Sequence, residues 1–431
     1  MDPERRGAKD KKGIHGMINA INTQDLLQNV EQVGFASTII SVLNIVFQII
    51  ISRTLGPEGY GEIETLLTIN SIILVALAAI ALIVTRFISF YKTREQYDKM
   101  RFLANWAFTF FFLMGMAFFV ITVLCSRIIA EFLNIPDYQV IIVFGLLIWI
   151  SFMVPIIEGI LRGLQNFKQW GVYKVTEATL RVALAILALI IGLRIRSILL
   201  AMTVGSLFAI FLSIKVLRSH YIAKASRFDL QEIYAFIFPV FVACLFIALL
   251  SNMDLILVKH IFTAQEAGFF AAAGMIAKIV FGIAFAVGTV MFPKIIADYG
   301  NGDNRAALAV FRNSLKVVVL SAGAITLAVA VFHKEVTHLM FGSAYAVMAN
   351  LGVYALALFL LATVSVYMMY DLAVKKYWFI AVFLIAAIVE ASLILLFATS
   401  AQYVIWTLFG TNLVLLLFMI AYNWKETFKK V

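Results

Sequence analysis

Glu158 and Arg162 lie four residues apart, as do Glu177 and Arg181, so each pair shares one helix face. Spacing alone allows two readings. As local ion pairs they make polar helix ends tolerable, at a few tenths of a kcal/mol each where exposed. As a cluster of four, they would place Arg162 and Arg181 where guanidinium forks can grip a diphosphate. Lys278 has no acid three or four positions away and lies roughly nine residues, about 13 Å, inside an apolar run. It must face an anionic group or an acid from another helix, for which Asp254 and Glu390 are candidates. Either of these acids is also a candidate carrier of a coupling proton or sodium ion. Arg86 ends an apolar run, where a cation serves as a snorkelling anchor or lines a cavity. These residue types bind and pair charge.

Sites for bond-breaking chemistry are missing. No H-E-x-x-H occurs, no phosphate-binding G-x-x-x-x-G-K-[ST], and Cys125 and Cys244 have no metal-ligand spacing, so no catalytic group, metal or cofactor is expected. Gly159 and Gly163 read as close helix packing, and Pro155 as a kink.

The elements that hold these charges are apolar runs. With 63% hydrophobic and 13% charged residues, the composition excludes an ordinary soluble domain. Runs of about 20 residues match a hydrocarbon core roughly 30 Å thick, predicting an all-α integral membrane protein. Twelve spans are expected, near 33–52, 63–85, 102–124, 138–160, 175–193, 197–216, 236–257, 269–292, 313–332, 346–369, 377–397 and 402–422. A charge at the bilayer centre costs roughly 2.5–3.5 kcal/mol on insertion scales, so Arg181 and Lys278, the two cations well inside spans, need a cavity or a partner.

Sidedness follows from the other cations. With Lys215 and Lys316 at the inner span ends included, 26 Lys and Arg fall on the side of both termini and 6 on the opposite side, which makes both termini cytoplasmic. This spread also explains the net charge of +10 without a nucleic-acid partner. The basic leader 1–32 lacks the apolar core of a signal peptide, so no cleavage is expected, and Met17, Ile21 and Leu27 can lay its second part on the inner surface. Segment 217–235 reads as a cytoplasmic linker between lobes 33–216 and 236–422, with a tail at 423–431. The junction Arg53–Gly61 has a weaker counterpart at His260–Gly268, 207 residues on. With six spans each, the halves are parallel repeats around a central cavity.

Those residues carry a resemblance. Arg53-Thr-Leu-Gly-Pro-Glu-Gly-Tyr-Gly61 resembles the signature of prokaryotic polysaccharide flippases of the Wzx O-antigen type. The likeness continues through Glu158-Gly-Ile-Leu-Arg-Gly-Leu-Gln165, Glu177 with Arg181, Phe238-Pro239, Asp254, Glu266-Ala-Gly268 and Phe292-Pro293. It implies the MATE-like flippase superfamily, with two six-helix lobes and alternating access. Members reach fourteen spans, against twelve here.

The expected function is outward flipping of a polyprenyl-diphosphate-linked oligosaccharide for surface polysaccharide, in a prokaryotic cytoplasmic membrane. Arg162, Arg181, Lys278 and Arg86 are the expected substrate cations; Glu158, Glu177, Asp254 and Glu390 are their charge partners or ion-coupling groups. Partners would be the lipid-linked glycan, the bilayer and other membrane proteins of polysaccharide assembly. The main rival is a cation-coupled multidrug antiporter of the same fold, which calls for an acidic, aromatic-lined cavity. A membrane-embedded glycan enzyme is disfavoured by the short outer loops.

Overall fold

The computed structural model describes residues 23–192, 194–217, 231–345 and 350–424. Most of the expected leader, linker and tail falls outside them, including Met17 and Ile21. Among the described residues every regular element is a helix.

The first element, α1 (Thr23–Thr93), is helical along its length except for a break at Gly56, with φ 67° and ψ −179°. Only glycine enters this region at low cost, and Pro57 follows at a position suited to starting a new helix. Across the break, Gln48 Nε2 donates to Glu64 Oε2 at 3.1 Å, although 16 residues of straight helix would span about 24 Å. The two arms therefore fold back on each other as separate spans. Gly56→Ala should cost about 1–3 kcal/mol of stability, read as a lowered unfolding midpoint of the purified protein. An unchanged midpoint would mean the break tolerates a Cβ.

The first half continues with α2 (Tyr97–Leu124), the short α3 (Ser126–Phe132), α4 (Tyr138–Ser151), α5 (Val154–Gly163), α6 (Phe167–Ile190) and α7 (Ile195–Leu217). Pro155 sits in the first turn of α5, where the chain breaks from α4. Gly159 and Gly163 press α5 onto α1: a Cβ on Gly159 would lie 2.8 Å from Ala81 O, and one on Gly163 2.7 Å from Ile88 Cβ. Here the small residues serve backbone approach.

The second half holds α8 (Gln231–Leu250), α9 (Met253–Ile261), α10 (Ala264–Gly300), α11 (Asn304–Val331), α12 (His333–Phe341), α13 (Leu351–Ala373), α14 (Phe379–Phe397) and α15 (Ala401–Tyr422). α8 and α9 meet at 42° around Ser251–Asn252. Thr263 and Glu266 form a capping box that starts α10, satisfying orphan N–H groups of its first turn. Apolar on all sides, α13 is buried among α10, α11 and α15.

Nine helices among the described residues are long and apolar enough to cross a membrane, or ten if the bent α8–α9 pair is one span. The twelve expected spans differ by two for physical reasons. The apolar part of α1 runs 62 residues, about 90 Å, enough to cross twice around Gly56. α6 is long enough, but Lys174, Glu177 and Arg181 make its best stretch too polar. All the extensive packing between the halves runs through α1, against α8, α9, α10 and α12.

Candidate functional site

The first charged centre joins α5, α6, α7 and α1. Arg162 pairs with Glu158 at 2.9 Å, and its guanidinium carbon lies 5.0 Å from the Trp170 ring centre. Lys174 reaches both acids, at 3.1 Å from Glu158 and 3.0 Å from Glu177. Ser206 donates to the other oxygen of Glu177 at 3.4 Å. One ammonium thus ties α5 to α6.

Arg181 departs from its expected pairing. Its Nη2 donates to Asn44 Oδ1 on the first arm of α1, its guanidinium carbon lies 5.2 Å from the Phe47 ring centre, and its buried Nε has no hydrogen-bond partner. The acid one turn back, Glu177, turns to Lys174 instead. The expected i,i+4 pair Glu177–Arg181 is therefore corrected to an i,i+3 pair with Lys174. An acid between two cations follows the one that a second carboxylate, Glu158, also holds in place.

The second centre lies where α1 meets the other half. Tyr60 donates to Gln48 Oε1 at 3.1 Å, while Gln48 Nε2 holds Glu64. Ser71 and Asn252 hydrogen-bond across the halves at 3.3 Å. Lys278, half-buried, makes no ion pair or hydrogen bond among the described residues, yet it lies within electrostatic reach of Glu64 and of Asp254. One cation is shared by two carboxylates from opposite halves.

The third centre is inside the second half. Asp254 accepts a hydrogen bond from Tyr354, and Glu390 accepts one from Thr411 at 2.8 Å. Both acids are almost wholly buried and feel each other's charge. Glu390 Oε1 and Asn412 Oδ1 are buried without partners. With Asp254 Oδ1, these make three buried side-chain oxygens in this half without a hydrogen-bond partner among the described residues. Neither acid makes an ion pair with Lys278. No group of three or more possible metal ligands occurs among the described residues.

Arg86 is exposed and lies 5.9 Å from the Phe87 ring centre. Lys174, Asn44 and Glu64 complete these centres without having been expected. Glu64 carried a weak signal, as an acid at the second residue of an expected span. Lys174 carried none, since hydropathy puts it just outside a span.

The polysaccharide biosynthesis protein family model matches residues 26–297, more than half of the chain. The chain belongs to this family. Its match covers α1 through nearly all of α10, and so two of the three charged centres, together with Asp254. No curated protein matches the sequence. Solved structures match it in fold. An inward-facing multidrug resistance MATE family transporter of the MOP superfamily superposes with a TM-score of 0.71 at 13% identity, covering 90% of this chain and 95% of its own. The lipid II flippase MurJ in an inward closed conformation gives 0.69 at 15%, covering 90% and 87%. A MOP superfamily transporter from Pyrococcus furiosus, described as having a binding pocket of reverse polarity, gives 0.62 at 14%, covering 94% and 96%. The family member is a multi-pass membrane protein with the fold of transporters and flippases.

Proposed function

We propose that this protein flips a polyprenyl-diphosphate-linked oligosaccharide from the cytoplasmic to the outer leaflet by alternating access, and is not an enzyme. The observation that carries the reading is a pair of cations with donors to spare, one in each half. Arg181 has a buried Nε without a partner, and Lys278 has no ion pair among the described residues. A diphosphate between the halves would take both, while the polyprenyl tail stays in lipid. Arg162 adds a partly exposed guanidinium on the first half, and Arg86 a cation at the end of its span.

The distribution of basic residues supports an orientation in a prokaryotic cytoplasmic membrane with both termini on the cytoplasmic side. The face that carries Arg53, Asn134 and His260 is then the outer one. An inside-negative potential favours outward movement of each negative charge by roughly 2.3 kcal/mol per 100 mV, so ATP is not required. Asp254 and Glu390, with the unpartnered Asn412 Oδ1, are proposed to hold the coupling proton or monovalent cation.

Transport of a labelled lipid-linked glycan into the outer leaflet of proteoliposomes tests this reading. Arg181→Ala and Lys278→Ala should each lower the initial rate, by on the order of tenfold, with folded protein recovered in wild-type yield. Normal flipping by both variants would remove these cations from the substrate site. Transport of an organic cation in place of the glycan would favour the multidrug reading.

A further inference from the structure

At the outer face the contacts between the halves obey the 207-residue repeat. Arg53 Nη2 donates to Leu339 O at 2.6 Å, near the end of α12. His260 Nδ1 lies 2.6 Å from Phe132 O, at the end of α3; a carbonyl only accepts, so the imidazole donates. The donors Arg53 and His260 are 207 apart, and so are the acceptors Phe132 and Leu339. Each contact is the other's repeat image.

The neighbouring carbonyls repeat the pattern. Ser52 O accepts from the Tyr345 hydroxyl at 3.1 Å, and Lys259 O accepts from Asn134 Nδ2 at 3.3 Å. Ser52 and Lys259 are again 207 apart, although their donors differ in type. Burial pushes the Tyr345 hydroxyl above its ordinary pKa, so it remains a donor. Gly61 and Gly268, also 207 apart, touch directly: a Cβ on Gly61 would lie 2.7 Å from Gly268 N. A residue in contact with its own image lies on the symmetry axis, as in an isologous interface.

We infer that a pseudo-two-fold latch closes the outer face, in which a residue in the last turn of the first span of each half caps the short outer helix of the other half. The chemistry suits a contact that must open and reform. The last carbonyls of a helix lack intrahelical partners, and a positive donor is favoured there. Water can replace the donor when the halves part. Beside the latch, Tyr60 from the first half packs edge-on to Phe341 and Tyr345 of the second, at 5.7 and 6.2 Å between ring centres, and seals the closed face. Since the two caps are equivalent, they part together. The consequence for transport rests on the alternating-access reading; the symmetry does not.

The test uses the full-length chain with Cys125→Ser and Cys244→Ser and a protease site inserted between residues 218 and 230. Two thiol pairs are added separately, Arg53→Cys with Leu339→Cys and Phe132→Cys with His260→Cys. A short reductant-cleavable bis-thiosulfonate should bridge both pairs in membranes, read as halves that stay joined after proteolysis. Either bridge alone should cut glycan transport by about tenfold or more, with recovery on reduction. Bridging of only one pair, or wild-type transport by a bridged carrier, would overturn the latch. A second readout needs no substrate, namely labelling of Ser71→Cys by a membrane-impermeant thiol reagent from outside. It should rise several-fold in Arg53→Ala with His260→Ala and return to the parent level in the exchange Arg53→His with His260→Arg. Unchanged labelling in the double alanine variant counts against the latch. Loss of the glycan-transport reading would leave the bridging and labelling results standing.

Discussion

Lys174→Met should destabilise the protein by about 3 kcal/mol, the range for breaking one partner out of a buried charge network. Its ammonium lies 3.1 Å from Glu158 and 3.0 Å from Glu177, and all three side chains are largely withdrawn from solvent. Removing the cation leaves two carboxylates on adjacent helices with only Arg162 on one and the Ser206 hydroxyl on the other. Taking charge away in balance should rescue the fold. Lys174→Met with Glu177→Gln is therefore expected to recover most of the loss, giving a strong coupling in a double-mutant cycle of unfolding measurements. Arg162→Gln serves as the contrast: its side chain is 38% exposed, and the pair should contribute 1 kcal/mol or less, roughly the limit for exposed pairs. If Lys174→Met falls within about 0.5 kcal/mol of wild type, the ammonium is as solvated as a surface lysine and the network does not tie α5 to α6.

How charges meet across helices was the least legible part of this protein. Apolar runs marked where most of the spans lie, because a bilayer demands about 20 apolar residues in a row, but not their ends: α11 starts at Asn304, nine residues before the expected 313. Gly56 was legible as a turn, yet only the Gln48–Glu64 contact shows the two arms lying side by side. The pairing of Glu177 shows why local spacing misleads. Both Lys174 and Arg181 are within reach on its helix; the choice is made by Glu158 and Asn44, which no pattern along α6 contains. Hydropathy put Lys174 in a loop, whereas α6 starts at Phe167 and carries it into the helix. Glu64 is the second residue of the expected span 63–85 and reads as a span end, whereas Lys278 reads as a deep charge. That these two come from opposite halves and lie within electrostatic reach of one another depends on α1 packing on α10. The repeat was visible at one junction, Arg53–Gly61 against His260–Gly268, and the halves touch there backbone to backbone.

Gly268→Ala is expected to have the larger functional effect, because the contact it disturbs is backbone on backbone. A Cβ there would lie 1.8 Å from Pro57 O, 2.5 Å from Pro57 C and 2.9 Å from Pro57 Cα. No side chain is available to rotate away. To reach ordinary contact the helix starts must separate by more than 1 Å, roughly the misplacement that costs 10²-fold where geometry is exacting. Each half has its own packing, so the strain should fall on their junction: the outer face fails to close, and transport drops by about 10²-fold while folded protein is still recovered. Gly61→Ala meets Gly268 N at 2.7 Å and Ala264 O at 2.9 Å, and should be impaired to a smaller degree. Gly282→Ala makes the same change in the same helix, α10, with nothing within 4 Å of the new Cβ. It should transport normally and gain up to about 1 kcal/mol from helix propensity. Outer-face labelling of Ser71→Cys distinguishes an unclosed junction from an unfolded protein, since only the first gives higher labelling at an unchanged yield of monodisperse protein. Wild-type transport by Gly268→Ala would show that the halves need not approach this closely at any stage of the cycle.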